Sequence, residues 1–111
     1  MIVGIDTSNY TTSVAVYDGE KIVQAKKMLA VKSGERGLRQ SDAVFQHTVN
    51  MPELINGFDF NDIQAVGVST RPRNIDGSYM PCFLVGENTA NAVAKTNNVP
   101  LYKTSHQVGH I

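Results

Sequence analysis

Ile2-Val3-Gly4-Ile5-Asp6, then Thr12-Ser13-Val14-Ala15-Val16-Tyr17, then residues 21–29 behind Asp18-Gly19 make up the stretch that decides the fold. The first two runs favour strands and are separated by the polar Thr7-Ser8-Asn9-Tyr10-Thr11, while Asp18-Gly19 is a hairpin signal because glycine accepts the backbone conformation of a tight reversal. Together the three runs predict an antiparallel meander. Beyond it the period changes. Residues 42–56 carry Val44, Thr48, Met51 and Ile55 at four-three-four spacing, with Ser41 or Asp42 available as N-cap, which predicts a helix that Pro52 kinks or splits in two. Residues 63–69 read as a largely buried strand, Pro81 and the Ala- and Val-rich stretch to 95 as a helix with proline in its first turn, and residues 101–103 as a last strand. The order βββαβαβ predicts an α/β domain with a mixed sheet, antiparallel in its first three strands and parallel in the strands joined through helices.

At 111 residues the chain has room for one small domain, and 41% hydrophobic against 18% charged residues is enough for a modest core and unlike a disordered segment. Ten Lys and Arg balance ten Asp and Glu. That balance removes the strongest argument for autonomous nucleic-acid binding, because counterion release needs an excess of cations to set against phosphates. Charge is nonetheless uneven: residues 21–39 hold six basic side chains and one acid, and residues 40–70 hold four acids and no Lys or Arg. A solvated edge strand whose lysines discourage edge-to-edge pairing explains the basic stretch, and an RNA or acidic-partner patch is the sharper alternative, weakened by the lack of interleaved aromatics. The single cysteine, Cys82, excludes an internal disulfide framework and is compatible with a reducing compartment. The amino terminus has no basic lead-in and reads as a strand, and no apolar run approaches the roughly 18 residues of a membrane helix, so a cytoplasmic protein without a membrane partner is expected.

Three stretches could carry chemistry. In Asp6-Thr7-Ser8-Asn9-Tyr10-Thr11-Thr12 the hydroxyls and backbone N–H groups of a loop between strands can bind phosphate oxygens, and the leading carboxylate can organise a metal or water; Thr7, Ser8 and Asn9 are the candidates. Composition alone favours a structural turn, since Ser, Thr and Asn also satisfy their own backbone. In residues 69–78 Arg71 and Arg73 lie after a strand and before a helix, where open sheets collect anions; an ordinary surface loop explains them equally well. His106-Gln107-Val108-Gly109-His110 would place two imidazoles on one helical face, able to share a divalent ion, but two ligands are not a site and such pairs are more often incidental. Dinucleotide and phosphate-loop glycine fingerprints are absent from the sequence.

The order of Ile2-Val3-Gly4-Ile5-Asp6-Thr7-Ser8, Ser13-Val14-Ala15-Val16, Gly34 with Gly37, His47-Thr48-Val49-Asn50-Met51-Pro52-Glu53-Leu54-Ile55, Asp62-Ile63-Gln64-Ala65-Val66-Gly67-Val68, Leu84-Val85-Gly86 and His106-Gln107-Val108-Gly109-His110 is similar to the amino-terminal half of the TsaD/Gcp/YgjD family. That family was formerly labelled O-sialoglycoprotein endopeptidase or glycoprotease, and its most specific signature is HxxGH. The resemblance implies an actin/hexokinase/Hsp70-like (ASKHA, ribonuclease H-like) fold of two lobes, of which residues 1–111 are the first, the carboxyl-terminal lobe being absent from this chain. It implies transfer of threonylcarbamoyl from its adenylate to N6 of the adenosine next to the anticodon of tRNA. The metal, iron or zinc, would be held by His106, His110 and an aspartate beyond Ile111. An adenylate or ATP-like ligand, tRNA and TsaB- and TsaE-like proteins are the implied companions. Nothing in the sequence supports a peptidase mechanism.

Two departures stand out. The family's first loop commonly reads Glu-Thr-Ser-Cys-Asp-Glu-Thr, and here two later acidic positions are lost; its Gly-Pro-Gly stretch is replaced by Arg71-Pro72-Arg73-Asn74-Ile75-Asp76-Gly77. They keep open a divergent paralogue or a non-catalytic ASKHA module that serves as a partner or regulatory subunit. HxxGH argues for the transferase, because TsaB-like partners lack it. The expectations for the isolated chain are no transferase or peptidase activity, association with itself or a partner through the helical face that would support the second lobe, and little or no tight binding of metal or nucleotide.

Overall fold

The computed structural model describes residues 1–8, 10–31, 39–72 and 80–106. Five strands and two helices follow in the expected order: β1 Ile2–Thr7, β2 Thr11–Tyr17, β3 Ile22–Met28, α1 Gln40–Ile55, β4 Ala65–Arg71, α2 Phe83–Asn97 and β5 Leu101–Ser105. They build one sheet in the order β3-β2-β1-β4-β5. The β1–β2 and β2–β3 pairs are antiparallel and the β1–β4 and β4–β5 pairs parallel, the mixed α/β sheet that the sequence predicts and one compatible with an ASKHA-like lobe.

Alternation along the strands separates two faces. Val3 lies opposite Val16 and Val66, and Ile5 opposite Val14 and Val68, so these side chains share a face. On it Met51 from α1 and Ala90 and Ala94 from α2 complete the buried core. The other face carries Gly4 between Ala15 and Gly67, with Asp6 opposite Ser13. These small residues, with Met28, Tyr102 and His106, border an open cavity of about 680 Å³.

The β2–β3 hairpin closes as predicted. Gly19 has φ +105°, and the Asp18 carboxylate accepts the N–H groups of Glu20 and Lys21, each at 2.9 Å. Those two bonds hold the Asp18 carboxyl below its ordinary pKa.

Several local expectations need correction. The helix is not split at Pro52: α1 runs through it, the Asn56 N–H donates to the Pro52 carbonyl at 3.0 Å, and Met51, Leu54 and Ile55 anchor the last turn in the core. Neither Ser41 nor Asp42 is the N-cap. That position falls to Arg39, without a side-chain cap bond, and Gln40 opens the helix while its Oε1 accepts the Cys82 N–H at 3.0 Å. Asp42 therefore sits in the first turn, where its charge suits the helix dipole. The buried stripe of α1 is Ala43, His47, Asn50 and Met51, whereas Thr48 is exposed, because the inward face includes two polar side chains that hydrophobic spacing cannot count. Pro81 precedes α2 instead of entering its first turn; its carbonyl accepts the Leu84 N–H at 3.0 Å, and Cys82 is the N-cap residue. At the other end Asn98 takes the left-handed conformation at φ 54° and stops the helix.

Candidate functional site

The carboxyl ends of β1, β4 and β5 lie side by side because the three strands are parallel neighbours. β1 ends in Asp6-Thr7, β4 in Ser69-Thr70-Arg71, and β5 in Ser105 immediately before His106. Asp6 Oδ2 accepts the Ser69 hydroxyl at 2.9 Å and lies 2.6 Å from His106 Nδ1. One carboxylate oxygen thus joins β4 to the residue after β5. The second, Asp6 Oδ1, is buried with no hydrogen-bond partner among the described residues. The His106 ring also packs on Phe83, with centroids 6.4 Å apart and planes tilted by 58°.

The residues on either side of this pairing are held by the helices. Thr7 Oγ1 donates to the Cys82 carbonyl at 2.9 Å and accepts the Gly86 N–H at 3.0 Å, which fixes the end of β1 against the first turn of α2. Ser8 is held through its carbonyl, which accepts the Nε2–H of His47 at 2.5 Å. A carbonyl can only accept, so in the neutral ring the proton is on Nε2 and Nδ1 receives the Thr12 hydroxyl at 2.7 Å. Asn50 Nδ2 in turn donates to Thr12 Oγ1 at 3.2 Å. The chain Asn50, Thr12, His47, Ser8 is a relay of matched donors and acceptors linking α1 to β2 and to the first loop. His47 and Thr12 are fully buried, and burial lowers the His47 pKa below its ordinary value. Burial likewise pushes the Cys82 thiol up to about 11, so no reactive thiolate stands beside the site.

Of the residues singled out in the sequence, Thr7, Ser8, Arg71 and His106 lie within the described structure, and Asn9, Arg73 and His110 fall outside it. Both hydrogen-bonding roles of the Thr7 hydroxyl are taken by α2 and the turn before it. Arg71 pairs with Ser105 across an irregularity between Ser69 and Arg71 at the end of the β4–β5 ladder. Among the described residues no three His, Cys, Asp or Glu side chains gather as a metal site. Sequence reasoning missed the His47, Thr12 and Asn50 relay and the reach of Asp6 to His106, a partner 100 positions away. For the relay a signal existed, since His47 and Asn50 share the Met51 face of a helix; for the Asp6 pair only the strand order brings the partners together.

Known proteins resemble the chain over nearly its whole length. A tRNA N6-adenosine threonylcarbamoyltransferase of Methanopyrus kandleri is 31% identical over 117 aligned residues, covering 98% of this chain and 32% of that protein. Proteins of the same name from Campylobacter concisus and Bacillus anthracis are 31% and 32% identical over the whole chain and 34% of their own length. The chain belongs to their family. It spans about a third of the length of these curated relatives. No protein-family model matches the chain. Among the described residues no helix is long and apolar enough to cross a membrane.

Proposed function

We propose that this chain is the first lobe of a tRNA N6-adenosine threonylcarbamoyltransferase-like protein, inactive without a second lobe. The observation that carries the reading is the position of His106, the first residue of the HxxGH signature, at the carboxyl end of β5 and against Asp6 of β1. In open α/β sheets this is the end at which ligands collect. The relatives' shared name supplies the reaction class, and the whole-chain alignment supports carrying it over.

The residues present suit the iron or zinc that the resemblance implies. His106 offers an imidazole donor beside a carboxylate, and the buried Asp6 Oδ1 is an acceptor with no donor among the described residues. His106 and His110 would hold the ion together with an acid from the second lobe. When bound, it would supply Lewis-acid polarisation of an adenylate intermediate. The rest falls to this chain: Asp6 orients, Thr7 and Ser8 keep the loop between β1 and β2 fixed against both helices, and Arg71 and Arg73 offer positive charge to phosphate. tRNA and TsaB- and TsaE-like proteins are proposed partners through the second lobe or an adjoining surface. Self-association of the isolated chain, read by light scattering, belongs to the same reading; a strict monomer at high concentration counts against it.

The deciding assay supplies threonylcarbamoyl-adenylate and tRNA and analyses the nucleosides by mass spectrometry. Modified adenosine is expected from a protein that joins these residues to a second lobe of the family type and none from the 111 residues alone. Product from the chain alone refutes the two-lobe requirement. No product from the joined protein, together with tight binding to a TsaB-like partner, favours a non-catalytic partner module.

A further inference from the structure

We propose that Asp6 is a positioning residue that fixes the ring of His106 in the tautomer that binds a metal through Nε2, an inference that rests on the metal-dependent reading above. The contact is 2.6 Å between Asp6 Oδ2 and His106 Nδ1. An ionised carboxylate accepts and cannot donate, so this bond puts the imidazole proton on Nδ1. The neutral ring then carries its lone pair on Nε2, the arrangement in which a carboxylate holds one imidazole nitrogen and a metal takes the other.

The surroundings hold the carboxylate as well as the ring. Ser69, itself buried on the intervening strand β4, donates to the same Oδ2 at 2.9 Å and sets the carboxylate between β1 and β5. Phe83 at the start of α2 packs on the ring and restricts its rotation about the bond to the backbone. Asp6 is half-buried, and its Oδ1 has no donor among the described residues. A clamp serving the sheet alone would satisfy both oxygens, since a buried acceptor without a partner is destabilising. This carboxylate is built around one oxygen, shared by a hydroxyl and an imidazole, and that gives the ring a defined protonation pattern. The sequence separation explains why the device is invisible in the local motif: HxxGH contributes the ring and the end of β1 contributes what orients it.

The test uses the whole chain, with the ring nitrogens of His106 followed by ¹⁵N NMR at mildly alkaline pH and zinc alone as the probe. In the unaltered protein the shifts should report a protonated Nδ1 and a lone pair on Nε2. Asp6→Ala should move them toward the opposite tautomer and weaken zinc binding about 10- to 100-fold, the usual range for loss of such an orienting partner. Asp6→Asn keeps a carbonyl acceptor and the shape of the side chain, so it should retain the tautomer while losing less affinity, and it serves if Asp6→Ala does not fold. His106→Ala should abolish the binding that Asp6 controls. Ring shifts unchanged in a folded Asp6→Ala protein, or in Asp6→Asn the opposite tautomer together with unchanged zinc affinity, overturn the proposal. If the unaltered chain takes up no zinc, as expected where the acid of a second lobe is needed to complete the site, the tautomer decides alone: a switch in Asp6→Ala supports the control of the ring by Asp6, and its absence overturns the proposal.

Discussion

Gly86→Ala adds one methyl group where α2 packs on the Ile5 and Thr7 side chains of β1. A Cβ at position 86 would lie 2.8 Å from Thr7 Oγ1 and 3.3 Å from both Thr7 Cγ2 and Ile5 Cγ2. The closest atom is not the loose end of a long side chain. Thr7 is fully buried and β-branched, and its hydroxyl is tied to the Cys82 carbonyl and the Gly86 N–H. Relief requires either turning Thr7 away, which gives up two buried hydrogen bonds worth about 1 kcal/mol each, or pushing α2 off the sheet, with an overpacking cost of about 1–3 kcal/mol. Against this, alanine in a helix gains about 1 kcal/mol over glycine. The balance is a destabilisation of roughly 1–3 kcal/mol, a large share of the roughly 5–15 kcal/mol that holds a domain together. Urea unfolding followed by circular dichroism measures it, and the same substitution in a Thr7→Ala background provides the control. There both Thr7 contacts are gone and only the 3.3 Å approach to Ile5 Cγ2 remains, so Gly86→Ala should become close to neutral, or stabilising by up to about 1 kcal/mol where Ile5 gives way. A single Gly86→Ala variant as stable as the parent refutes the claim that Thr7 fixes how closely α2 approaches β1.

The His47 pKa is lowered in the fold by burial, so the unfolded chain takes up the proton first. The stability this group contributes is complete above its unfolded pKa of about 6.5 and is lost as pH falls through the lower folded value; His47→Gln should flatten the slope of unfolding free energy in that window, and an unchanged slope contradicts the relay. Asn50→Ala removes the donor to Thr12 and should cost about 1–2 kcal/mol in chemical denaturation, with Thr12 and His47 still buried; no change would mean that the 3.2 Å bond contributes nothing. Cys82, buried with its thiol pushed up to about 11, should resist a thiol reagent in the folded chain and react promptly in urea; equal rates in the two states would show that α2 does not shield it.

The fold was largely legible because its strands advertise themselves. The valines and isoleucines of β1, β2 and β4 recur at period two, and Asp18-Gly19 supplies a reversal that few other dipeptides make so readily. What misled was polarity on an inward helix face. His47 and Asn50 are buried for the sake of Thr12 and Ser8, and spacing rules that count apolar residues move the stripe to Thr48, which is exposed. The split expected at Pro52 does not occur for a different reason: Pro52 opens the last turn, so only one helical bond, to the Thr48 carbonyl, is lost, and Met51, Leu54 and Ile55 hold the segment to the core. At the site, the two-histidine spacing was visible as a local pattern, and the partner of its first histidine was not. A carboxylate on β1 meets a residue after β5 only because β4 inserts between them in the sheet and Ser69 fills the gap.

Three consecutive residues at the end of β1 face three different neighbours, and strand geometry explains the division. Asp6 points to the open face of the sheet, with Ser13 and Ser69, and takes His106. Thr7, one position on and therefore on the helix face, takes the first turn of α2. Ser8 has left the strand, so its carbonyl is no longer committed to the ladder and can receive His47 from α1. A shift of one residue in the β1 register would exchange the faces of Asp6 and Thr7, burying the carboxylate against α2 and removing both the orienting group for His106 and the hydroxyl that Gly86 needs. The register is therefore set twice, by the valine and isoleucine pairs in the body of the sheet and by the chemistry at its end. That is why the polar residues of this loop belong to the fold as much as to the site, and why substitutions at Asp6, Thr7 or Ser8 must be judged by stability and ligand binding together.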